Sequence, residues 1–296
     1  MVYLKSFGIP KDTWVDFYIS RPKPDDAPKD LPDDNWYYNM DGRTVHPSLY
    51  PWYTFYNRGF ERIDFEDITI FYGGNASGKT TLLNVIAQKL HLHRGTLFNT
   101  SAFFDDYCAC NGGYELADNN LSLRAIERGR IIVSDDVFKN ILEHRNENLE
   151  KDIRMEELAG RYLLGEKDTR KQSMSNFIKR RMSLKEEEMS NGEAGFQYFY
   201  NAMGSNGLIL LDEPENSLSA NWQMILARHL CKMVDQGKCQ LIIATHSPFL
   251  LSLPNAKIYN LDVVPVTTAK WYELDNMKAY YKLFIAHQME FEKERS

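Results

Sequence analysis

A chain of 296 residues, 43% hydrophobic and 26% charged, has the composition of an ordinary globular protein, with length for one large domain or two modest ones. Its formal charge of −6, from 35 Lys+Arg against 41 Asp+Glu, argues against general affinity for nucleic acid and leaves only a local basic patch to consider. Four cysteines, Cys108, Cys110, Cys231 and Cys239, form no CxxC pair or zinc-finger spacing and read as reduced, structural thiols. The opening MVYLKSFGIPKD lacks the apolar core of a signal peptide. The longest apolar stretch, residues 241–253, is broken by Thr245, His246, Ser247 and Pro248. A cytoplasmic protein with no membrane insertion is expected.

Residues 13–20 (TWVDFYIS), rich in β-branched and aromatic side chains, read as a strand. Residues 21–48 hold Pro22, Pro24, Pro28 and Pro32 among aspartates and read as a surface loop. Strands are expected near 50–56 and at 67–71. A helix follows over 79–90, where Leu82, Leu83, Ile86, Ala87 and Leu90 keep a helical period. Residues 117–188 turn charged and helix-favouring, with Ser134, Asp135 and Asp136 placed to cap a helix running on from Val137. A strand at 208–211, a helix at 222–236 and a strand at 240–244 come next. A strand at 257–261 and an amphipathic helix near 276–292 complete the chain. Strands alternating with helices imply a parallel α/β sheet. The division expected is a core part over 1–116, a helical lobe over 117–200 and a second core part over 201–296.

Gly73-Gly74-Asn75-Ala76-Ser77-Gly78-Lys79-Thr80 matches G-x-x-x-x-G-K-[ST]. Such a loop needs glycines because its backbone must curl until several N–H groups face phosphate oxygens. Lys79 adds a point charge at the β- and γ-phosphates, and the Thr80 hydroxyl is suited to Mg²⁺. An apolar strand before the loop and a helical pattern after it supply the expected context.

Residues 208–214 (LILLDEP) form an apolar run ending in two carboxylates. Four aliphatic residues suit a strand buried on both faces of a parallel sheet, whose carboxyl end is where such sheets bind ligands. Asp212 there can hold Mg²⁺, and Glu213 can polarise an attacking water as general base.

Residues 73–81 (GGNASGKTT), 189–193 (MSNGE), 208–215 (LILLDEPE), 217–219 (SLS) and 244–248 (ATHSP) occur in the order of an ATP-binding cassette. They resemble its Walker A loop, signature, Walker B strand, D-loop and switch histidine. The phrases ENSLS and ATHSPFLL are similar to the non-transporter branch, which includes SMC, Rad50, RecF and OLD-type proteins and many predicted bacterial ATP-binding proteins. The fold implied is a P-loop NTPase with a mixed sheet, antiparallel N-terminal strands plus a parallel core, and an inserted helical lobe.

The resemblance implies an ATPase that works as an ATP-gated dimerising switch, a head-to-tail homodimer sandwiching two ATP. Residues Gly73, Gly74, Asn75, Ala76, Ser77, Gly78, Lys79, Thr80 and Thr81 would hold the nucleotide, with Thr80 and Asp212 on the metal. Lys79, Glu213 and His246 would carry the chemistry, and Ser190, Asn191 and Gly192 of the partner would meet the γ-phosphate. Ser190 and Glu193 also fit an ordinary helix capping box. Two departures stand out. No glutamine lies between Lys89 and Gln172 to act as the cassette's Mg²⁺-ligating glutamine, a place for which Asp105 or Asp106 is the candidate. Asn191 replaces the first glycine of the usual signature. Both point to slow turnover. Arg58 and Phe60 sit where relatives hold adenine, although a strand edge explains them as well.

The stretch after Pro248 is too short for the Toprim nuclease of OLD-type proteins, so a separate effector or a nucleic-acid target is expected, in genome maintenance or phage defence by analogy. The energising subunit of a membrane transporter is the alternative, disfavoured by the signature context. A DNA-binding module would use Arg170, Lys171, Lys179, Arg180, Arg181 and Lys185. These are interleaved with Glu166, Asp168 and residues 186–188, as on a solvated helical face.

Overall fold

The computed structural model describes residues 1–20, 49–110, 112–165, 173–183, 189–204 and 207–293. The chain opens with strand β1 (Leu4–Gly8) and helix α1 (Asp12–Ser20), and resumes at β2 (Arg62–Asp64) and β3 (Ile68–Tyr72). Helix α2 (Lys79–Lys89), β4 (His93–Arg94), α3 (Phe104–Ala109), β5 (Tyr114–Leu116), α4 (Asn119–Glu127) and β6 (Arg130–Val133) follow. Next come the long α5 (Ser134–Leu163), the short α6 (Met174–Lys179), α7 (Asn191–Met203), β7 (Gly207–Asp212), α8 (Ala220–Asp235) and β8 (Cys239–Ala244). The last elements are α9 (Pro248–Leu251), β9 (Lys257–Asn260), β10 (Thr267–Ala269), α10 (Asp275–Ala286) and α11 (Gln288–Lys293).

Among the described residues the main sheet runs β10-β9-β3-β8-β7-β6-β4, parallel throughout except for β10 against β9. Strands β2, β1 and β5 form a separate antiparallel sheet. The expected mixed fold is therefore present, with its antiparallel part docked as its own layer. β7 and β8 are buried along their whole length, which is why LILL and LII read as unbroken apolar runs. Leu208, Leu210 and Ile242 face one core with α2, α3 and the aromatics of α1. Ile209, Leu211, Leu241 and Ile243 face the other with α5, α7 and α8.

Several elements differ from expectation for physical reasons. Residues 13–20 lie in α1, not in a strand. Their apolar side chains Trp14, Val15, Phe17 and Tyr18 are buried at helical spacing, and this outweighs β propensity. Residues 50–56 form successive turns, closed by Trp52 N–H to the Leu49 carbonyl at 2.9 Å and Thr54 N–H to the Pro51 carbonyl at 2.8 Å. Their aromatic content serves packing, since Trp52 stacks on Tyr18 with ring centroids 3.8 Å apart. Within the stretch expected to be helical, Arg130–Val133 is strand β6, paired in parallel with β7. Four residues in charged surroundings gave no periodic signal. The terminal helix breaks at His287 into α10 and α11. The proline-rich loop at 21–48 lies outside the described residues, as do Arg170, Lys171, Lys185, Glu166, Asp168 and 186–188. Of the remaining basic candidates, Arg181 folds back over the Phe177 ring at 3.9 Å. No helix among the described residues is long and apolar enough to cross a membrane.

One buried side chain bolts the two sheets together. Gln240, in β8 and fully buried, accepts from the N–H groups of Tyr3 and Leu4 at 3.0 and 2.8 Å. Its amide donates to the carbonyls of Leu4 and Glu66 at 2.8 and 3.1 Å. Gln240 thus does for β1 what a neighbouring strand's backbone would do. Gln240→Leu fills the same space and strands those groups, at about 1–3 kcal/mol for a buried group left unpaired. Urea unfolding is expected to show the variant at least about 2 kcal/mol less stable, with an unchanged m-value.

Candidate nucleotide site

The phosphate loop spans the turn between β3 and α2. Gly78 caps α2 at φ 100°, ψ 5°, a conformation that side chains rarely adopt, and Ala76 also sits at positive φ, 64°. The loop is held from beneath. Lys79, with only 4% of its side chain exposed, donates from Nζ to the carbonyls of Gly73 and Gly74 at 2.8 and 3.1 Å. The same ammonium lies 3.2 Å from Glu213 Oε1. Gly74, Asn75, Ala76 and Thr80 remain exposed at the mouth.

Two residues outside the motif brace the loop from the side. Asp262 accepts the Gly74 N–H on both carboxylate oxygens, at 2.9 and 3.0 Å. Arg58 donates to the carbonyls of Leu261 at 2.9 Å and Ser77 at 3.4 Å. The residues considered for adenine are thus used in building: Arg58 supports the loop, and Phe60 is buried between the rings of Phe55 and Tyr259. Thr81 accepts from the Tyr50 hydroxyl at 3.1 Å.

β7 delivers the two carboxylates. Asp212 Oδ1 accepts from Thr80 Oγ1 at 3.1 Å, bringing together the two residues expected on the metal. Hard oxygen donors from one hydroxyl and one carboxylate fit Mg²⁺, which takes few protein ligands and fills its sphere with phosphate oxygens and water. Burial pushes the Asp212 carboxyl up to about 7; Glu213 adds to this, while the Thr80 hydrogen bond and Lys79 oppose it. A bound cation reverses that balance and favours the carboxylate.

Glu213 stands in the left-handed region at φ 45°, ψ 51°, unusual for a residue with a side chain. Its N–H to the Ala244 carbonyl at 2.9 Å and Asn216 Nδ2 to its Oε2 at 3.0 Å hold it there. Burial works against its charge, but the Asn216 hydrogen bond and Lys79 outweigh this and keep the carboxyl below its ordinary range. Glu213 thus presents a carboxylate at the strand end, beside Lys79.

His246 follows β8, its backbone N–H bound to Glu215 Oε1 at 2.8 Å and its Nδ1 3.5 Å from the same oxygen. Ser190 is the N-cap of α7 and accepts the Glu193 N–H at 3.3 Å, the serine half of the expected capping box. Asn191, in place of the signature's first glycine, accepts from Arg145 of α5 at 2.6 Å. Gly192 is required where it stands, because a Cβ there would lie 2.6 Å from Trp222 of α8. Among the described residues no hydrogen bond joins 190–192 to the phosphate loop. Asp105 and Asp106 belong to the packing of α3: Gln88 donates to Asp105 at 3.1 Å and Tyr18 to Asp106 at 3.0 Å.

Sequence reasoning missed Glu215, Asp262 and Arg94. Arg94, at the end of β4, donates to Asn84 of α2 at 2.5 Å and feels the charges of Asp136 and Asp212. Burial draws its guanidinium below the usual range. Only the missing glutamine between Lys89 and Gln172 could have directed attention to this stretch.

A phosphate loop between a buried strand and its helix, facing an acidic strand end across an intervening β8, defines the fold as that of a P-loop ATPase. Residues 118–252 match the family model described as "AAA domain, putative AbiEii toxin, Type IV TA system". The match begins beyond the phosphate loop and takes in Ser190, Asp212, Glu213 and His246. None of the curated proteins matches this chain. Among solved structures, Stu0660 of Streptococcus thermophilus is similar at 12% identity and a TM-score of 0.35, over 67% of this chain and 71% of that one. A nucleotide-free ATP-binding cassette from an ABC transporter is similar at 16% identity and a TM-score of 0.32, over 68% and 79%.

Gly78→Ala and Ser77→Ala separate backbone demand from side-chain packing. A Cβ at Gly78 would adopt the disfavoured φ and lie 2.8 Å from Thr54. A cost of about 1–3 kcal/mol and weaker binding of a fluorescent ATP analogue are expected. The buried Ser77 hydroxyl has no hydrogen-bond partner among the described residues. Its removal relieves a buried unpaired group and is expected to leave urea stability unchanged or raise it by up to about 1–3 kcal/mol.

Proposed function

We propose that this chain binds and hydrolyses ATP at residues 73–81, Asp212 and Glu213, and acts as an ATP-gated switch that closes by head-to-tail dimerisation. The observation that carries the reading is the placement of Lys79 Nζ, held by two loop carbonyls and 3.2 Å from Glu213. One buried cation stands between the phosphate-binding turn and the carboxylate suited to activate water. The family match supports the ATPase part, since it covers the strand and histidine motifs; it is not by itself support for a toxin activity.

In this mechanism the loop N–H groups and the α2 N-terminus hold the phosphates. Thr80 and Asp212 would hold Mg²⁺, which supplies charge neutralisation on the phosphate oxygens when bound. Glu213 orients water in line with the γ-phosphorus and takes its proton as the phosphoryl group leaves ADP. Ser190 and the N–H groups at the start of α7 would meet the γ-phosphate of the opposing copy. Helices α5 to α7, the part of the lobe expected over 117–200 that lies outside the main sheet, would present them. Asn191, bound to Arg145, makes that contact less open than a glycine would, and slow turnover follows. A separate effector or a nucleic-acid target would read the closed state, in the cytoplasm, for genome maintenance or defence.

Light scattering of Glu213→Gln with and without ATP and Mg²⁺ tests the switch. Hydrolysis is expected to fall about 10²–10⁴-fold, the range of a general base. The protein should shift from monomer to dimer, and the shift should vanish when Ser190→Arg is added. Measurable ATP binding with no change of mass would refute ATP-driven self-association.

A further inference from the structure

Glu215 lies past the two site carboxylates, on the single 3₁₀ turn Pro214–Ser217, and is buried. Its Oε1 accepts from the Thr245 hydroxyl at 2.7 Å, the His246 N–H at 2.8 Å and the Ser247 N–H at 3.2 Å. His246 Nδ1 lies 3.5 Å from that same oxygen. The other carboxylate oxygen is buried with no hydrogen-bond partner among the described residues. A carboxylate that gathers every donor onto one atom is aimed at one object, here the turn carrying His246.

The turn is locked on its far side as well. Ser247 Oγ donates to Gln223 Oε1 at 2.7 Å, and Gln223 Nε2 donates to the Leu218 carbonyl at 2.9 Å. The Leu218 N–H returns to the Glu215 carbonyl at 3.0 Å. Residues 215–218 and 245–247 thus form one closed hydrogen-bonded ring. One side leads into Ser217, Leu218 and Ser219, the other into the half-exposed imidazole.

We infer that Glu215 is the positioning residue of His246: it directs Nδ1 inward and leaves Nε2 for the γ-phosphate, tying the histidine to the turn at 217–219. The inference rests on the ATPase reading above. A carboxylate is needed because three donors converge on one oxygen, and charge strengthens each of those bonds, with the ring nitrogen 3.5 Å from the same atom. The polar second oxygen is tolerated because the geometry of the turn gains from the first.

The test is a double-mutant cycle on ATP turnover with Glu215→Gln and His246→Ala, since the amide keeps an acceptor in nearly the same shape. For Glu215→Gln, kcat is expected to fall by about tenfold or more, the scale of a mispositioned group, with KM for ATP within about twofold. The double variant should be no slower than the slower single one. Full kcat in Glu215→Gln, or losses that multiply in the double variant, overturns the inference. If the wild-type chain shows no turnover, the ATPase reading fails. The inference is then judged on imidazole ¹⁵N spectra of His246. A hydrogen on Nδ1 in the wild type that moves to Nε2 in Glu215→Gln supports positioning; an unchanged tautomer refutes it. If Glu215→Gln does not fold, Thr245→Ser with the same spectra should keep the wild-type tautomer, and its loss there counts against the inference.

Discussion

A buried ammonium is costly unless its charge is met, and Lys79 is met three times: by the carbonyls of Gly73 and Gly74 and by Glu213. Those partners lie on two elements far apart in sequence. The carbonyls belong to the turn after β3, and the carboxylate follows β7, with β8 between the two strands. The cation therefore ties the loop to the sheet. Braces from Asp262 and Arg58, which descend from β9 and the turns before β2, make sense in that light. They hold the outer side of a loop whose inner side is committed to Lys79.

The sheet can supply such placement because β7 and β8 are buried on both faces and in continuous register, from Gly207 opposite Cys239 to Asp212 opposite Ala244. A one-residue slip would move each leucine and isoleucine into the wrong core and carry Asp212 away from Thr80. Gln240 extends the constraint to the small sheet by tying β1 and the approach to β3 onto β8. Site geometry and core packing are thus one problem here. The left-handed backbone at Glu213 persists because the bond to Ala244 and the bonds of its side chain determine it from several directions.

What could be read from the amino-acid sequence follows from how local each signal is. The phosphate loop, the LILLD strand and its helix are each encoded in under a dozen neighbouring residues, and each is found where it was expected. Ser190 also caps α7, as its place before the helix suggested. Strand β6 was not legible, because RIIV becomes a strand only by lying beside β7. The aromatic residues at 13–20 and 50–56 announced burial but not conformation: Trp52 and Tyr18 stack on each other as parts of a turn and a helix. Arg58 and Phe60 show the same limit at the site. Position along the chain left a ligand contact and a strand edge equally open; in the structure Arg58 braces the loop and Phe60 packs in the core.

Glu215 illustrates why some functional side chains escape motif reading. Next to Asp212 and Glu213 it looks like one more acid at a strand end, and nothing local separates a carboxylate that faces phosphate from one that turns inward. The difference lies in Thr245, His246 and Ser247, about thirty residues further on in the chain. A residue without a carboxylate at 215 would offer those three donors no charged oxygen, so the residue after the proline sets how firmly the histidine turn is held. The acidic strand end then holds three carboxylates with separate tasks: Asp212 beside Thr80, Glu213 beside Lys79, and Glu215 beneath His246. The first two contact the phosphate loop, through Thr80 and Lys79, while the third is turned onto the residues after β8.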